Sequence, residues 1–143
     1  MTHVGEIIAK EVTLDEESIR VFALLCGDNN PLHHDRSYAE KSRFGSLIAS
    51  GPHYSALLMG LAATHFSATS AEMLGLEFHL RLKEAVRAGE TVRLCWRVAE
   101  ITPKPSLGGD ILTLEGTITN GKGEEVLACL GKILVSEKSP PDE

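Results

Sequence analysis

Residues 52–66 read PHYSALLMGLAATHF, and this run decides the fold. Its apolar residues fall on nearly every side of a helical wheel rather than along one stripe. A helix with no polar face is a buried helix. Pro52 suits the first helical position, where a missing N–H costs nothing. The run includes the small residues Ala56, Gly60, Ala62 and Ala63.

Downstream of it the period changes from helical to alternating. Leu76, Phe78, Leu80 and Leu82 alternate with Glu77, His79, Arg81 and Lys83. Val92, Leu94, Trp96 and Val98 alternate with Thr91, Arg93, Cys95 and Arg97. Leu112, Leu114, Gly116 and Ile118 alternate with Ile111, Thr113, Glu115 and Thr117, and residues 126–135 are more apolar throughout. A period of two marks half-buried antiparallel strands, expected over 76–84, 91–101, 110–120 and 125–135. Asn120-Gly121 is a hairpin signal between the third and fourth. Residues 88–89 and 104–109 supply the other turns. One buried helix ahead of about four meandering strands implies an α+β fold, with a curved antiparallel sheet wrapped around the helix. The open edges of so small a sheet imply edge-to-edge dimerisation.

Upstream, residues 4–12 read as a short strand or extended lead-in. Thr13-x-x-Glu16 has capping-box spacing. Ile19, Phe22, Ala23 and Cys26 form an apolar stripe, which predicts a helix over 15–25 ended by Gly27. Then comes Asp28-Asn29-Asn30-Pro31-Leu32-His33-His34-Asp35. Pro31 has a fixed φ and no N–H, and it pushes Asn30 out of the helical region. Asp28 and His33 therefore lie on an irregular loop, where side chains are aimed at substrates. A carboxylate and an imidazole are the commonest groups for moving protons near neutral pH. Asp28 and Asn30 also have a plainer reading as capping and turn residues. A short helix over 37–43, ended by Gly45, leads through 47–49 to Ser50-Gly51-Pro52. His33, His34 and Asp35 with His53 match no common zinc spacing, so no metal site is expected. His34 and Asp35 are expected to hold the loop, while His3, His65 and His79 are read as incidental.

At 143 residues the chain is expected to form one domain over 1–135, with the polar tail SEKSPPDE (136–143) disordered. A net charge of −6 and a pI of about 5.5 argue against nucleic-acid binding. The three cysteines, Cys26, Cys95 and Cys129, are odd in number and widely spaced. They read as small buried hydrophobes in a reducing, cytoplasmic setting. The opening MTHVGEIIAKE lacks the pattern of a signal peptide. No apolar run approaches the ~20 residues of a membrane span, so no membrane association is expected.

Gly27-Asp28-Asn29-Asn30-Pro31-Leu32-His33 resembles the G-D-x-N-P-x-H signature of the hydratase-2, or MaoC-like, family of the hotdog fold. The similarity extends to the preceding helix and to the glycine-containing segment that opens the central helix. It also includes residues 82–90 (LKEAVRAGE), which are similar to the family's L-K-P-V-R-x-G-D. The resemblance implies a hotdog fold and an (R)-specific enoyl-CoA hydratase or related dehydratase acting on acyl-CoA. It implies no metal or redox cofactor and a homodimer or higher homo-oligomer. By position, Asp28 and His33 match the catalytic pair. Gly51 matches the glycine whose N–H binds the thioester carbonyl, with Asn30 and Ser50 beside it as substrate-binding candidates. Which of Asp28 and His33 is acid and which is base stays open, because the pair can titrate as a unit. Many relatives carry His before this glycine and Met after it, where this chain has Ser50 and Pro52. The alternatives are a hotdog acyl-CoA thioesterase and a subunit of a heterodimeric 3-hydroxyacyl-thioester dehydratase.

Overall fold

A computed structural model describes residues 2–70 and 72–136. The order of elements is β1 (Ile7–Thr13), α1 (Glu16–Leu25), α2 (Arg36–Glu40), α3 (Gly51–Thr69), β2 (Glu72–Leu82), β3 (Thr91–Lys104), β4 (Gly109–Thr119) and β5 (Glu125–Ser136). Single 3-10 turns at Pro31–His33 and Pro105–Leu107 punctuate the chain. The strands form one sheet in the order β1-β3-β4-β5-β2, with every neighbouring pair antiparallel. The α+β architecture follows the sequence reading, and of the two readings of the lead-in the strand holds, but the connectivity differs: β2 does not continue into a meander. The cause is β1, which pairs with β3 from Ile7↔Arg97 to Thr13↔Thr91 and so occupies that edge. The edge left for β2 is β5.

Burial on the central strands follows the alternation. Val92, Leu94, Trp96 and Val98 of β3 and Leu112, Leu114 and Ile118 of β4 are all buried. From α3, Tyr54, Leu58, Ala62 and Phe66 belong to the same apolar cluster. Each large apolar side chain so buried is worth ~1.5–3 kcal/mol. Trp96 is fully buried, and its indole N–H donates to the Leu58 carbonyl at 2.7 Å. Gly116 pairs with Trp96 across the sheet, and a Cβ there would lie 2.6 Å from the indole ring. Glycine is required because the ring lies directly over that backbone.

Two expectations about burial change. α3 is not enclosed all round: Pro52, Ala56, Gly60 and Thr64 are exposed along one face, since no strand of the sheet covers it. On β2, a register shift between Gly75 and Glu77 interrupts the alternation. Leu74, Leu76 and Leu82 are exposed, while Phe78 and Leu80 are half-buried. An edge strand has one neighbour fewer to cover its side chains.

Local signals shift by small amounts. Asp15, not Thr13, caps α1, accepting the Ser18 N–H at 2.8 Å. Thr13 stays in β1, its hydroxyl 2.6 Å from that of Thr91. Gly27, at φ +70°, ends α1 as expected. α2 stops at Glu40 rather than 43. Between β4 and β5 the turn spans 120–124 instead of two residues. Asn120 Oδ1 accepts the N–H groups of Lys122 and Glu124, and the left-handed residue is Gly123, not Gly121. Cys129 is buried, Cys95 half-buried and Cys26 exposed, so the last does not extend the stripe of α1. Of the supposed tail, Ser136 closes β5 and 137–143 lie outside the described residues. Among the described residues, no helix is long and apolar enough to cross a membrane.

Candidate active site

The loop after α1 is built by its own polar side chains. The Asn30 N–H donates to Asp28 Oδ1 at 2.9 Å, an Asx turn. Asn30 Oδ1 in turn accepts the Leu32 N–H at 3.1 Å, capping the 3-10 turn that Pro31 begins. Asp35 Oδ1 accepts the Tyr38 N–H at 3.0 Å and opens α2. The His34 ring reaches back to the Asp28 carbonyl at 2.5 Å. His34 and Asp35 therefore hold the loop, and the Asn30 side chain is engaged in the turn.

The loop is fastened to the rest of the molecule through residues 47–49, all buried. The Ile48 N–H donates to the Leu32 carbonyl at 3.1 Å, and the Ile48 carbonyl lies 2.7 Å from His33 Nδ1. On the other side, the Ala49 N–H donates to Val86 O and the Ala88 N–H to Leu47 O, both at 2.8 Å. One short extended segment thus ties the loop to 86–88 and runs straight into α3.

This anchoring sets the chemistry of His33. A carbonyl only accepts, so Nδ1 carries the proton of the neutral ring and Nε2 is left with its lone pair. Nε2 lies 3.5 Å from Asp28 Oδ2, and the two side chains are 6% and 32% exposed. Two acceptors that far apart make no direct hydrogen bond, and one water can touch both. The structure therefore brings Asp28 and His33 together.

Gly51 is the first residue of α3, and Ser50 is its N-cap. The opening amides of a helix have no partner within it, and its dipole favours negative charge there. The Leu82 side chain lies over Gly51, 3.0 Å from where a Cβ would be, so a larger residue would press on it. Ser50 makes no side-chain cap bond, although it is 2% exposed.

A residue that sequence reasoning passed over is His53, weighed there only as a metal ligand. It is 5% exposed and stacks on Phe22 of α1, with ring centroids 4.4 Å apart and planes 6° apart. Burial first, and then the neighbouring His33, hold its imidazole below the ordinary histidine value. The signal available in sequence was its place two residues beyond Gly51. His65 is likewise not incidental: its Nε2 lies 3.5 Å from Glu6 Oε1, joining α3 to the segment before β1.

Comparison with known proteins adds to this geometry. The family model for the MaoC like domain matches residues 3–106. A 3-hydroxybutyryl-CoA dehydratase of Methylorubrum extorquens is 29% identical over 99 residues, which span 69% of this chain and 60% of that protein. An (R)-specific enoyl-CoA hydratase of Rhodospirillum rubrum is 28% identical over 100 residues, spanning 70% of this chain and 68% of the relative. Among solved structures, an unliganded R-hydratase from Pseudomonas aeruginosa superposes with a TM-score of 0.85 at 25% identity, covering 99% of this chain and 92% of the other.

Proposed function

The chain belongs to the MaoC-like domain family, and on that premise we propose that it is an (R)-specific enoyl-CoA hydratase. It adds water to a trans-2-enoyl-CoA to give the (R)-3-hydroxyacyl-CoA, and the reaction is reversible. The relatives named for a dehydratase and a hydratase of CoA thioesters support this reading. The observation that carries it is the pair itself: His33 Nε2, the lone-pair nitrogen of the neutral ring whose Nδ1 faces the Ile48 carbonyl, lies 3.5 Å from Asp28 Oδ2.

In the forward direction one water lies against both groups. Its oxygen attacks C3 as its proton passes to His33 Nε2, and Asp28 orients the water and stabilises the imidazolium that forms. The electron pair of the double bond moves onto C2 and the thioester oxygen. The Gly51 N–H and the positive end of α3 meet that developing charge. A proton returns from the pair to C2, so the product has gained one OH at C3 and one H at C2. Water is the only second reactant, and the reaction uses no metal or redox cofactor.

The active form is a homodimer in the cytoplasm. Its support is β2, whose eleven residues lie at the sheet edge with Leu74, Leu76 and Leu82 exposed. Unpaired edges of this kind are templates for a second strand. Leu82 also lies over Gly51, so a copy seated on β2 would wall the site. Light scattering that reports only monomer at micromolar concentration would exclude the dimer. Free, widely spaced cysteines suit a reducing compartment.

The experiment is to mix purified protein with crotonyl-CoA and follow enoyl absorbance and free thiol together. Loss of absorbance without thiol release is expected, with an (R)-specific dehydrogenase consuming the product. Thiol release with the double bond intact would replace the hydratase by a thioesterase.

A further inference from the structure

The first turn of α3 has an unused arrangement. Ser50 at the N-cap and His53 three residues on have the spacing of a capping box, in which each side chain bonds the other's backbone. Neither bond forms. Ser50 makes no cap bond through its side chain, and the His53 N–H goes instead to the Ser50 carbonyl at 3.0 Å. Both side chains are more than nine-tenths buried, and Ser50 Oγ and His53 Nδ1 are without a hydrogen-bond partner. Buried polar atoms are almost always paired, so two orphans at one helix terminus call for a missing partner. The side chain of a helical residue leans toward the N-terminus, which brings His53 back over the opening amides. The Phe22 stack fixes its plane.

Resting on the hydratase reading, we propose that Ser50 Oγ and His53 Nδ1 join the opening amide of α3 in holding the thioester carbonyl oxygen, with His53 a neutral donor. A second base would be redundant beside His33. An imidazole whose proton affinity is lowered, chiefly by burial, is suited to donate one hydrogen bond without taking up a proton. The proton then sits on Nδ1, the atom left without a partner.

The test compares wild type with His53→Phe, which keeps the stack and removes both nitrogens, and His53→Asn, whose amide falls near the place of Nδ1. Loss of one such donor costs on the order of 10²-fold in kcat. His53→Phe should lose about that much crotonyl-CoA hydration with its circular dichroism unchanged, and His53→Asn should recover at least about tenfold of it. Raman difference spectra of bound butyryl-CoA, which has no double bond to hydrate, supply a readout without turnover. The thioester C=O stretch should drop on binding to wild type and return toward its solution value in His53→Phe. If His53→Phe does not fold, His53→Gln takes its place, with the same loss expected because its amide reaches only the position of Nε2. Hydration within about threefold of wild type and an unmoved carbonyl band would reduce His53 to a packing residue and leave the hydratase reading standing. A wild type that shifts the band yet hydrates nothing, with the shift lost in His53→Phe, would keep the cradle and remove the hydratase.

Discussion

The loop 27–35, fastened to Ile48, and the first turn of α3, into which that segment runs, treat their polar groups in opposite ways. In the loop, the side chains of Asp28, Asn30, His34 and Asp35 all make hydrogen bonds to backbone. In the helix turn, Ser50 Oγ and His53 Nδ1 have none. A buried hydrogen-bonding group without a partner costs about 1–3 kcal/mol. The loop is thus built to be rigid before substrate arrives, and the turn is built to be completed by it. A working site uses both: the proton-moving pair must not wander, and the carbonyl cradle must not be filled beforehand.

The largest expected effect comes from breaking the rigid side. Asp28→Asn and His33→Ala should each lower crotonyl-CoA hydration by at least about 10²-fold, or roughly 2.7 kcal/mol of barrier. Because both groups handle one water, the double variant should be little worse than the poorer single one. Steady-state rates on all three, with thermal melts to show that folding survives, decide it. Near wild-type rates in either folded single variant would remove that residue from the reaction.

A pair of matched cap deletions sharpens the contrast at smaller scale. Asn30→Ala removes a side chain that caps the 3-10 turn and should cost about 1 kcal/mol in urea unfolding. Ser50→Ala removes an N-cap side chain that caps nothing and leaves no orphan oxygen behind. Its stability should stay within about 0.5 kcal/mol of wild type or rise. Equal losses in the two variants would erase the distinction between the regions.

The smallest effect is in pH. The folded state holds His53 below the ordinary histidine value of 6.5, so below that value the unfolded chain binds the extra proton more readily. Stability from this group is therefore full above about 6.5 and is lost as pH falls through the folded value. His53→Phe should lose less stability than wild type between pH 8 and pH 5.5 in parallel urea titrations. Identical slopes would mean that His53 binds protons equally in the folded and unfolded states.

Much of this was readable from residues. Pro31 and Gly27 fix where the loop begins and bends, Pro52 places the start of α3 one residue beyond its first residue, Gly51, and the alternation of β3 and β4 became burial. The pairing of β2 with β5 was not readable. Which edge a strand joins depends on which edge is already taken, and β1 took the other. Leu74, Leu76 and Leu82 carried an apolar pattern with nothing in the single chain to bury them. Asn120-Gly121 was recognised as a turn, yet its left-handed residue is Gly123, because the Asn120 side chain organises a longer loop. At the site, the spacing of Asp28 and His33 pointed to a pair. The tautomer of His33 depends on the Ile48 carbonyl, fifteen residues away, and no local pattern encodes it.

Trp96 is the only tryptophan among the 143 residues. Its indole N–H is held by the Leu58 carbonyl in the middle of α3. The molecule therefore carries a single indole at the seam between helix and sheet, shielded from water. Excited at wavelengths that Tyr38 and Tyr54 do not absorb, it is a built-in optical gauge of that seam. A ligand that shifts α3 would change its colour without an added label, and undocking of the helix, which bares the indole to water, would redden it.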